Sequence, residues 1–312
     1  MTKELISIVI PCYNEEEVIN ICHDALTKVI DDMDYNFEII YINDGSFDNT
    51  KSLLEAIYQK DKRAVIINFS RNFGKEAAMT AGIDNARGGA LIILDADLQD
   101  PPSLIPDMIA IWKETGADVV YGQRIEREGE TWFKKFTSNG FYNVINFIAN
   151  NVEIPKNTGD FRLMNRRSID ALIQLREKHR FMKGLFAWIG FHQVAMQYNR
   201  EPRAAGKTKW NYFQLFNLAM EGIAGFSTKP LRVASLFGLL ISIASFMFGI
   251  FIIFKTLFYG SDVAGWASIS VMIAFLSGIQ LLTIGVLGEY IGRIFGETKK
   301  RPLYFIDTVI KK

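Results

Sequence analysis

The sequence predicts a two-part protein: an α/β domain built on a mostly parallel sheet, then a pair of helices that crosses a membrane as a hairpin. Three observations carry this. Short apolar, β-branched runs alternate with helical patterns through the first third of the chain. Two later runs carry no charge at all, Val233–Phe254 (22 residues) and Val263–Gly288 (26 residues). Each exceeds the roughly 18–20 residues needed to span a bilayer core. Finally, the charge is divided: residues 231–312 hold 8 basic and 4 acidic side chains, whereas the first 230 are net negative.

The chain totals of 35 Lys+Arg and 34 Asp+Glu hide that division. They argue against a nucleic-acid binder held by overall charge and against an acidic tail. With 49% hydrophobic residues, 22% charged residues and 24 Phe, disorder is excluded as the general state.

Leu5–Pro11 reads as a buried strand. Glu15–Ile30 has helical spacing at Val18, Ile21, Cys22, Ala25 and Val29. Phe37–Ile42 is the second strand, and Asp48–Tyr58 is a helix with Asp48 as its cap. Ala64–Phe69 is a third strand before a helix over Lys75–Ala86. Ala90–Leu94 is a fourth strand before a helix over Ser103–Glu114, and Asp118–Tyr121 is a fifth. Beyond residue 122 the pattern loosens. It still supports a helix near Trp132–Asn150, strands near Phe161–Met164 and His192–Tyr198, and an amphipathic helix over Tyr212–Gly225 that leads to the apolar runs. The division expected is therefore a catalytic-type domain over residues 1–210, a juxtamembrane helix and linker over 211–232, two spans over 233–290, and a tail over 291–312.

The charges flanking the spans set an orientation. Lys229 and Arg232 precede the first, and Arg293, Lys299, Lys300 and Arg301 follow the second, whereas the loop between them has Lys255 alone. The positive-inside rule then puts both termini and the α/β domain in the cytoplasm, on a multi-pass protein of the inner (cytoplasmic) membrane. Leu5–Cys12 is too short for a signal peptide and is followed by Glu15, Glu16 and Glu17. The two cysteines, Cys12 and Cys22, fit no metal spacing, and the three histidines are scattered, which argues against a His-based metal site.

Ligands of parallel α/β sheets bind beyond the carboxyl ends of the strands. Four consecutive strand ends here are polar: PCYNE after the first, NDGS after the second, SRNFGK after the third and DADLQD after the fourth. Asp95 and Asp97, two apart after a buried strand, can turn their carboxylates into one crevice, with Gln99 continuing the alternation. That all-oxygen set suits Mg²⁺ or Mn²⁺, which keep waters and take phosphate oxygens. No G-x-G-x-x-G follows the first strand, and neither a P-loop nor G-x-S-x-G occurs. What remains is a metal-bound, diphosphate-linked donor used beside a membrane.

The segments PCYNEEE, NDGSFDNT, FSRNFGKEAA, DADLQDPP and TGDFRLM, in this order, resemble the family 2 glycosyltransferases with the GT-A (Rossmann-like) fold. More narrowly, the chain is similar to bacterial polyprenyl-phosphate glycosyltransferases, relatives of dolichol-phosphate mannose synthase. The late EYIGRIFGETKKRPLY looks like the bactoprenol glucosyltransferase branch. The resemblance covers nearly the whole chain. It implies that Pro11, Tyr13, Glu15 and Asp44 hold the nucleotide, with Arg71 and Lys75 close by, and that Asp95, Asp97 and Gln99 hold the metal on the diphosphate. It makes Asp97 and Asp160 the catalytic acids, with Asp160 facing the donor sugar or the nucleophile. It puts acceptor-phosphate contacts at Arg124, Lys134, Ser138 and Arg203. The Q-x-x-R-W motif of processive synthases is absent, which argues against repeated chain extension.

The expected reaction is a single inverting displacement: a polyprenyl (undecaprenyl) phosphate oxygen attacks the anomeric carbon of a nucleotide sugar, with UDP-glucose the leading donor. UDP-N-acetylglucosamine, UDP-galactose and GDP-mannose remain open as donors. Two rivals differ in class. A lipid transporter is disfavoured by spans with no intramembrane charge. A non-catalytic nucleotide-sugar or lipid carrier is disfavoured by the intact Asp95–Asp97 pair. The RPLYFI stretch has strand character, which leaves pairing with a neighbouring subunit, and so a homo-oligomer, open.

Overall fold

The structure is a computed structural model that describes residues 3–125, 155–178, 180–199, 229–259 and 265–312. It divides into two compact units, Met1–Gly222 with Arg301–Lys312, and Ile223–Lys300.

The first unit is built on an eight-stranded sheet in the order β7-β5-β6-β4-β1-β2-β3-β8. The strands are β1 (Leu5–Cys12), β2 (Asn36–Asn43), β3 (Ala64–Phe69), β4 (Ala90–Ile93), β5 (Val119–Arg124), β6 (Thr158–Asn165), β7 (Gln193–Tyr198) and β8 (Ile306–Ile310). Helices α1 (Ile19–Ile30), α2 (Thr50–Lys60), α3 (Lys75–Asn85) and α4 (Ile105–Thr115) alternate with the first five strands. The core is the apolar content of the central strands, with Ile6, Ile8, Ile10, Ile39 and Tyr41 fully buried. Continuous β-branched runs are expected of strands covered on both faces.

β1 to β4 are mutually parallel, as expected. β6 and β8 are not: β6 lies antiparallel between β4 and β5, and β8 runs antiparallel on the outer side of β3. The sheet is therefore mixed. Its order reverses between β1 and β4, the position at which doubly wound folds open a crevice at their carboxyl ends.

Two local expectations change. Asn49, rather than Asp48, precedes α2, and the Asp48 carboxylate instead accepts from the Thr50 and Glu16 amides. The strand expected at RPLYFI lies later: β8 begins at Ile306, the last residue of that stretch, and pairs with its own chain. Ile310 lies opposite Ile66 and Thr308 opposite Asn68, and an amide ladder runs from Asn43 through Asn68 to the Thr308 hydroxyl, each step 2.9 Å. The edge of β3 thus has a partner within the molecule. Two further helices, α5 (Arg166–Gln174) and α6 (Met182–Trp188), lie in the part where the periodicity is weak. α5 is capped by Asn165, which accepts from the Ser168 amide. The expected helices at Trp132–Asn150 and Tyr212–Gly225 lie outside the described residues.

The second unit contains two long helices, α7 (Lys229–Tyr259) and α8 (Trp266–Thr298). α7 encloses the first uncharged run. Within α8 the stretch Phe275–Thr298 is long and apolar enough to cross a membrane. Large apolar side chains on both helices are exposed, among them Phe251, Leu257, Phe258, Leu281 and Ile284. Exposed apolar surface of this extent marks contact with lipid or with a partner protein.

Candidate active site

Register explains which residues meet. β1 and β2 are level at their carboxyl ends, Cys12 opposite Asn43, so the loops that follow them run side by side. They are laced together: the Asn14 amide donates to Ser46 Oγ (2.9 Å), Phe47 N to Asn14 Oδ1 (3.0 Å) and Glu15 N to Thr50 Oγ1 (2.8 Å). Asn14 takes a positive φ of 52° to do so. Tyr13 sits edge-on to Phe47, whose ring is 82% exposed. Pro11 ends the same strand, partly buried.

Asp44 opens the second loop and is 2% exposed. Its oxygens accept from the amides of Phe73 (2.7 Å) and Gly74 (3.0 Å). Burial raises its pKa, and those two amides pull it back down. The carboxylate expected to touch nucleotide is thus committed to the loop between β3 and α3, which it holds in shape. Gly45 lets the two loops approach: its φ is +63°, and a Cβ there would stand 2.4 Å from the Arg71 carbonyl carbon. Arg71 itself is exposed, stacked over Phe73 at 4.1 Å.

The shaped loop delivers Lys75, the first residue of α3, to the centre of the crevice. Its ammonium lies 2.7 Å from Asp95 and 2.7 Å from Asp160. Asp95 follows β4. Asp160 sits on β6, where the pairing of Ile93 with Arg162 continues so as to bring Asp95 and Asp160 opposite each other. Only an antiparallel β6 can do this, because it starts at the edge where β4 ends. Burial alone would raise the pKa of Asp160, but Lys75 and Lys183 outweigh it and hold the group well below the usual carboxylate range. For Asp95, burial wins over Lys75 and the pKa is raised. Burial would lower Lys75, but Asp160 and Asp95 together push it up, so it is a fixed cation.

Arg162 and Glu76 belong to the same cluster and were not singled out from sequence. Arg162 is 4% exposed, packs its guanidinium 3.5 Å over the Phe186 ring and donates to the Gly159 carbonyl (2.9 Å). Burial lowers its pKa to about 10 against the pull of Asp160. Glu76 follows Lys75. Burial, then Asp160, raises its pKa to about 8. The sequence signal for both was their place inside the quoted FSRNFGKEAA and TGDFRLM segments.

The loop after β4 carries Asp97 and Gln99. Leu98 between them has a left-handed φ of 57°, a strained setting for a branched residue, and the Gln99 amide donates to Asp97 Oδ1 at 3.2 Å. Among the described residues no three acids, histidines or cysteines converge as a metal cluster. The donor set still fits a cation of the Mg²⁺ type, which is held by one or two carboxylates and takes its other ligands from phosphate and water.

Arg124, at the end of β5, also reaches this edge. Its guanidinium is engaged by Tyr198 Oη (3.2 Å) and Asp100 (3.3 Å), and the Tyr198 hydroxyl donates to Asp100 as well. Gly159 leaves room for it, since a Cβ there would stand 2.8 Å from the Arg124 Nη2. Arg124, expected to meet the acceptor phosphate, is thus already paired with Asp100. Lys134, Ser138 and Arg203 lie outside the described residues. Cys12 and Cys22 are buried thiols outside any disulfide, with burial pushing Cys22 up to about 12.

The sequence and the fold have counterparts. The sequence profile described as Glycosyl transferase family 2 matches residues 7–173. The chain is 50% identical over 307 residues to an uncharacterized glycosyltransferase of Synechocystis sp., covering 98% of this chain and 96% of that one. It is 44% identical over 307 residues to the bactoprenol glucosyl transferase of Shigella phage SfV, covering 98% and 99%. Among solved structures, mannosyl-3-phosphoglycerate synthase from Rubrobacter xylanophilus has the same fold, with a TM-score of 0.50 at 17% identity over 73% of this chain and 74% of that one. The chain belongs to glycosyl transferase family 2 and is a glycosyltransferase.

Proposed function

We propose that the chain transfers a hexose, glucose from UDP-glucose, to a polyprenyl phosphate with inversion at the anomeric carbon. One observation carries this reading: a single ammonium, Lys75, joins the Asp95 of the D-x-D loop to Asp160 of β6 at the carboxyl edge of the sheet. A lipid acceptor is supported by the apolar stretch Phe275–Thr298 and by full-length similarity to proteins named bactoprenol glucosyl transferases.

In this reading the nucleotide lies along the Pro11–Glu15 loop, with the exposed Phe47 and Arg71 at its border and Asp44 acting through the loop it holds. Asp95, Asp97 and Gln99 hold Mg²⁺ or Mn²⁺, which when bound neutralises the charge developing on the leaving diphosphate. A non-bridging oxygen of the lipid phosphate attacks the anomeric carbon. As that bond forms, the bond from the carbon to the diphosphate breaks, and its electron pair leaves with UDP. A phosphate monoester has a second pKa of about 6 and is already dianionic near neutrality, so no strong base is required. The depressed pKa of Asp160 agrees: an acid held ionised by Lys75 is a poor proton acceptor and a good anchor for positive charge at the reacting carbon. Arg124, Lys134, Ser138 and Arg203 are assigned to the acceptor phosphate.

The two uncharged runs, inside α7 and α8, are assigned as a transmembrane hairpin with both termini cytoplasmic, on the strength of the flanking cations. Tethering to the membrane raises the effective concentration of the lipid acceptor. The test incubates the full-length protein with radiolabelled UDP-glucose, UDP-N-acetylglucosamine, UDP-galactose or GDP-mannose, with and without undecaprenyl phosphate. Label entering the organic phase only with UDP-glucose and the lipid is expected. Label with a different donor would correct the sugar, and none with any donor would overturn the reading.

A further inference from the structure

Glu76 is the second residue of α3, and its Oε2 is buried with no hydrogen-bond partner. Its surroundings are densely charged. Asp160, Lys75, Lys183 and the Met182 amide act on it, and it acts in turn on Arg162 and Arg180. Among so many donors, an oxygen left open on a rigid helix is an acceptor without its ligand: buried polar groups in folded proteins are otherwise paired.

The chemistry of the missing partner can be narrowed. A phosphate would be repelled by the carboxyl group and by Asp160. A metal is already served by the loop after β4. A prenyl chain has no donor to offer. A hydroxyl fits, because it both donates and accepts and so suits the carboxyl in either protonation state.

We propose that Glu76 is a specificity-determining residue whose open carboxyl oxygen binds one hydroxyl of the donor sugar. This rests on the reading of the chain as a sugar-nucleotide transferase and names the group that reads the sugar. Epimeric hexoses differ in the direction of one hydroxyl. A fixed buried carboxyl accepts one epimer and is left unpaired by the other, and hydrogen-bonding sites discriminate strongly for that reason. Helix α3 gives the rigidity this needs, since Ala77 to Ile83 are buried against the sheet.

The experiment uses the full-length protein in detergent with undecaprenyl phosphate, UDP-glucose and its 2-, 3-, 4- and 6-deoxy analogues. Wild type, Glu76→Gln and Glu76→Ala are compared, with UDP binding followed by calorimetry. Glu76→Ala is expected to lower kcat/KM for UDP-glucose by roughly 100-fold. It should leave one deoxy analogue nearly unchanged, the one lacking the partner hydroxyl, with UDP affinity intact. Glu76→Gln should show the same pattern more weakly, and it carries the comparison if the alanine variant does not fold. Equal losses for all five donors, no loss, or a loss of UDP affinity would overturn the inference and assign Glu76 to holding Lys75 and Asp160. If the wild type binds UDP but yields no lipid-linked sugar from UDP-glucose, UDP-N-acetylglucosamine, UDP-galactose or GDP-mannose, the reading of a lipid-phosphate acceptor falls, and this inference with it.

Discussion

Toward the amino ends of the strands, Glu38 on β2 is 3% exposed, and both its oxygens are engaged. It accepts from Ser7 Oγ (2.6 Å), from the Arg87 amide (2.7 Å) and from the Arg87 guanidinium (2.8 Å), while Ser7 Oγ itself accepts from Gly88 N (2.9 Å). At the carboxyl ends of the same sheet, Glu76, Asp95 and Asp160 lie about the Lys75 ammonium; Glu76 Oε2 makes no hydrogen bond, Asp95 Oδ1 meets Lys75 only as an ion pair, and pKa values are displaced in both directions. The first network is closed, and its groups have nothing further to bind. The second is open and unbalanced, the condition in which a ligand can complete it. The contrast separates buried charge that stabilises a fold from buried charge that is held ready for chemistry.

The largest expected break in this contrast is on the open side. Asp97→Ala and Asp160→Ala should each lower turnover by ~100-fold or more, as the loss of a preorganised electrostatic contact does. The melting temperature should barely move for Asp97→Ala, whereas Asp160→Ala also removes a partner of the buried Lys75 ammonium and should melt lower. Rates and melting curves on the same samples check this, and a large fall in melting temperature with normal turnover would reverse the assignment.

On the closed side the effects should exchange. Glu38→Ala strands Ser7 and the Arg87 amide and is expected to cost about 3 kcal/mol, the scale for breaking one partner of a buried pair. Turnover per folded molecule should stay near wild type, as denaturant melts paired with active-site titration would show.

Gly45→Ala tests the join between loops and should be smaller. A residue other than glycine in the left-handed region costs roughly 1–2 kcal/mol, and here its Cβ also meets the Arg71 backbone. The donor KM should rise more than kcat falls.

The smallest effect is a pH dependence from Glu76. Its pKa is raised from 4.5 to about 8 in the folded chain. As pH rises through that window the unfolded chain gives up the proton and the folded chain keeps it, so stability falls across the window. Asp160 has the opposite sign: its depressed pKa gives stability above the unfolded value that is lost in acid. The groups facing Glu76 are Asp160, Lys75, Lys183, Arg162 and Arg180. Near pH 8 its ionisation adds a second negative charge beside Asp160, and kcat/KM should decline. Glu76→Gln should remove both that alkaline limb and the fall in stability, and unchanged profiles would refute the assignment.

Much of this site was legible as four polar strand ends. Alternating apolar runs are local signals, and parallel strands separated by helices bring successive carboxyl ends to one edge almost automatically. What was not legible depends on pairing between distant segments. The reading of Asp44 as a direct nucleotide contact did not foresee the amides of Phe73 and Gly74. The reading of Arg124 as an acceptor-phosphate contact did not foresee its pairing with Asp100 and Tyr198. The C-terminal strand was expected at RPLYFI but runs over Ile306–Ile310, and its partner is β3 of the same chain.

By itself, then, the sequence determined the local matters: which stretches are strands, which are helices, where the uncharged runs lie, and which loops carry acids, because each depends on neighbours within a few residues. Only the tertiary structure decided that β6 enters the sheet antiparallel between β4 and β5. That single choice of register sets Asp160 against Asp95 with Lys75 between them, and leaves Glu76 beside them with a buried oxygen to spare.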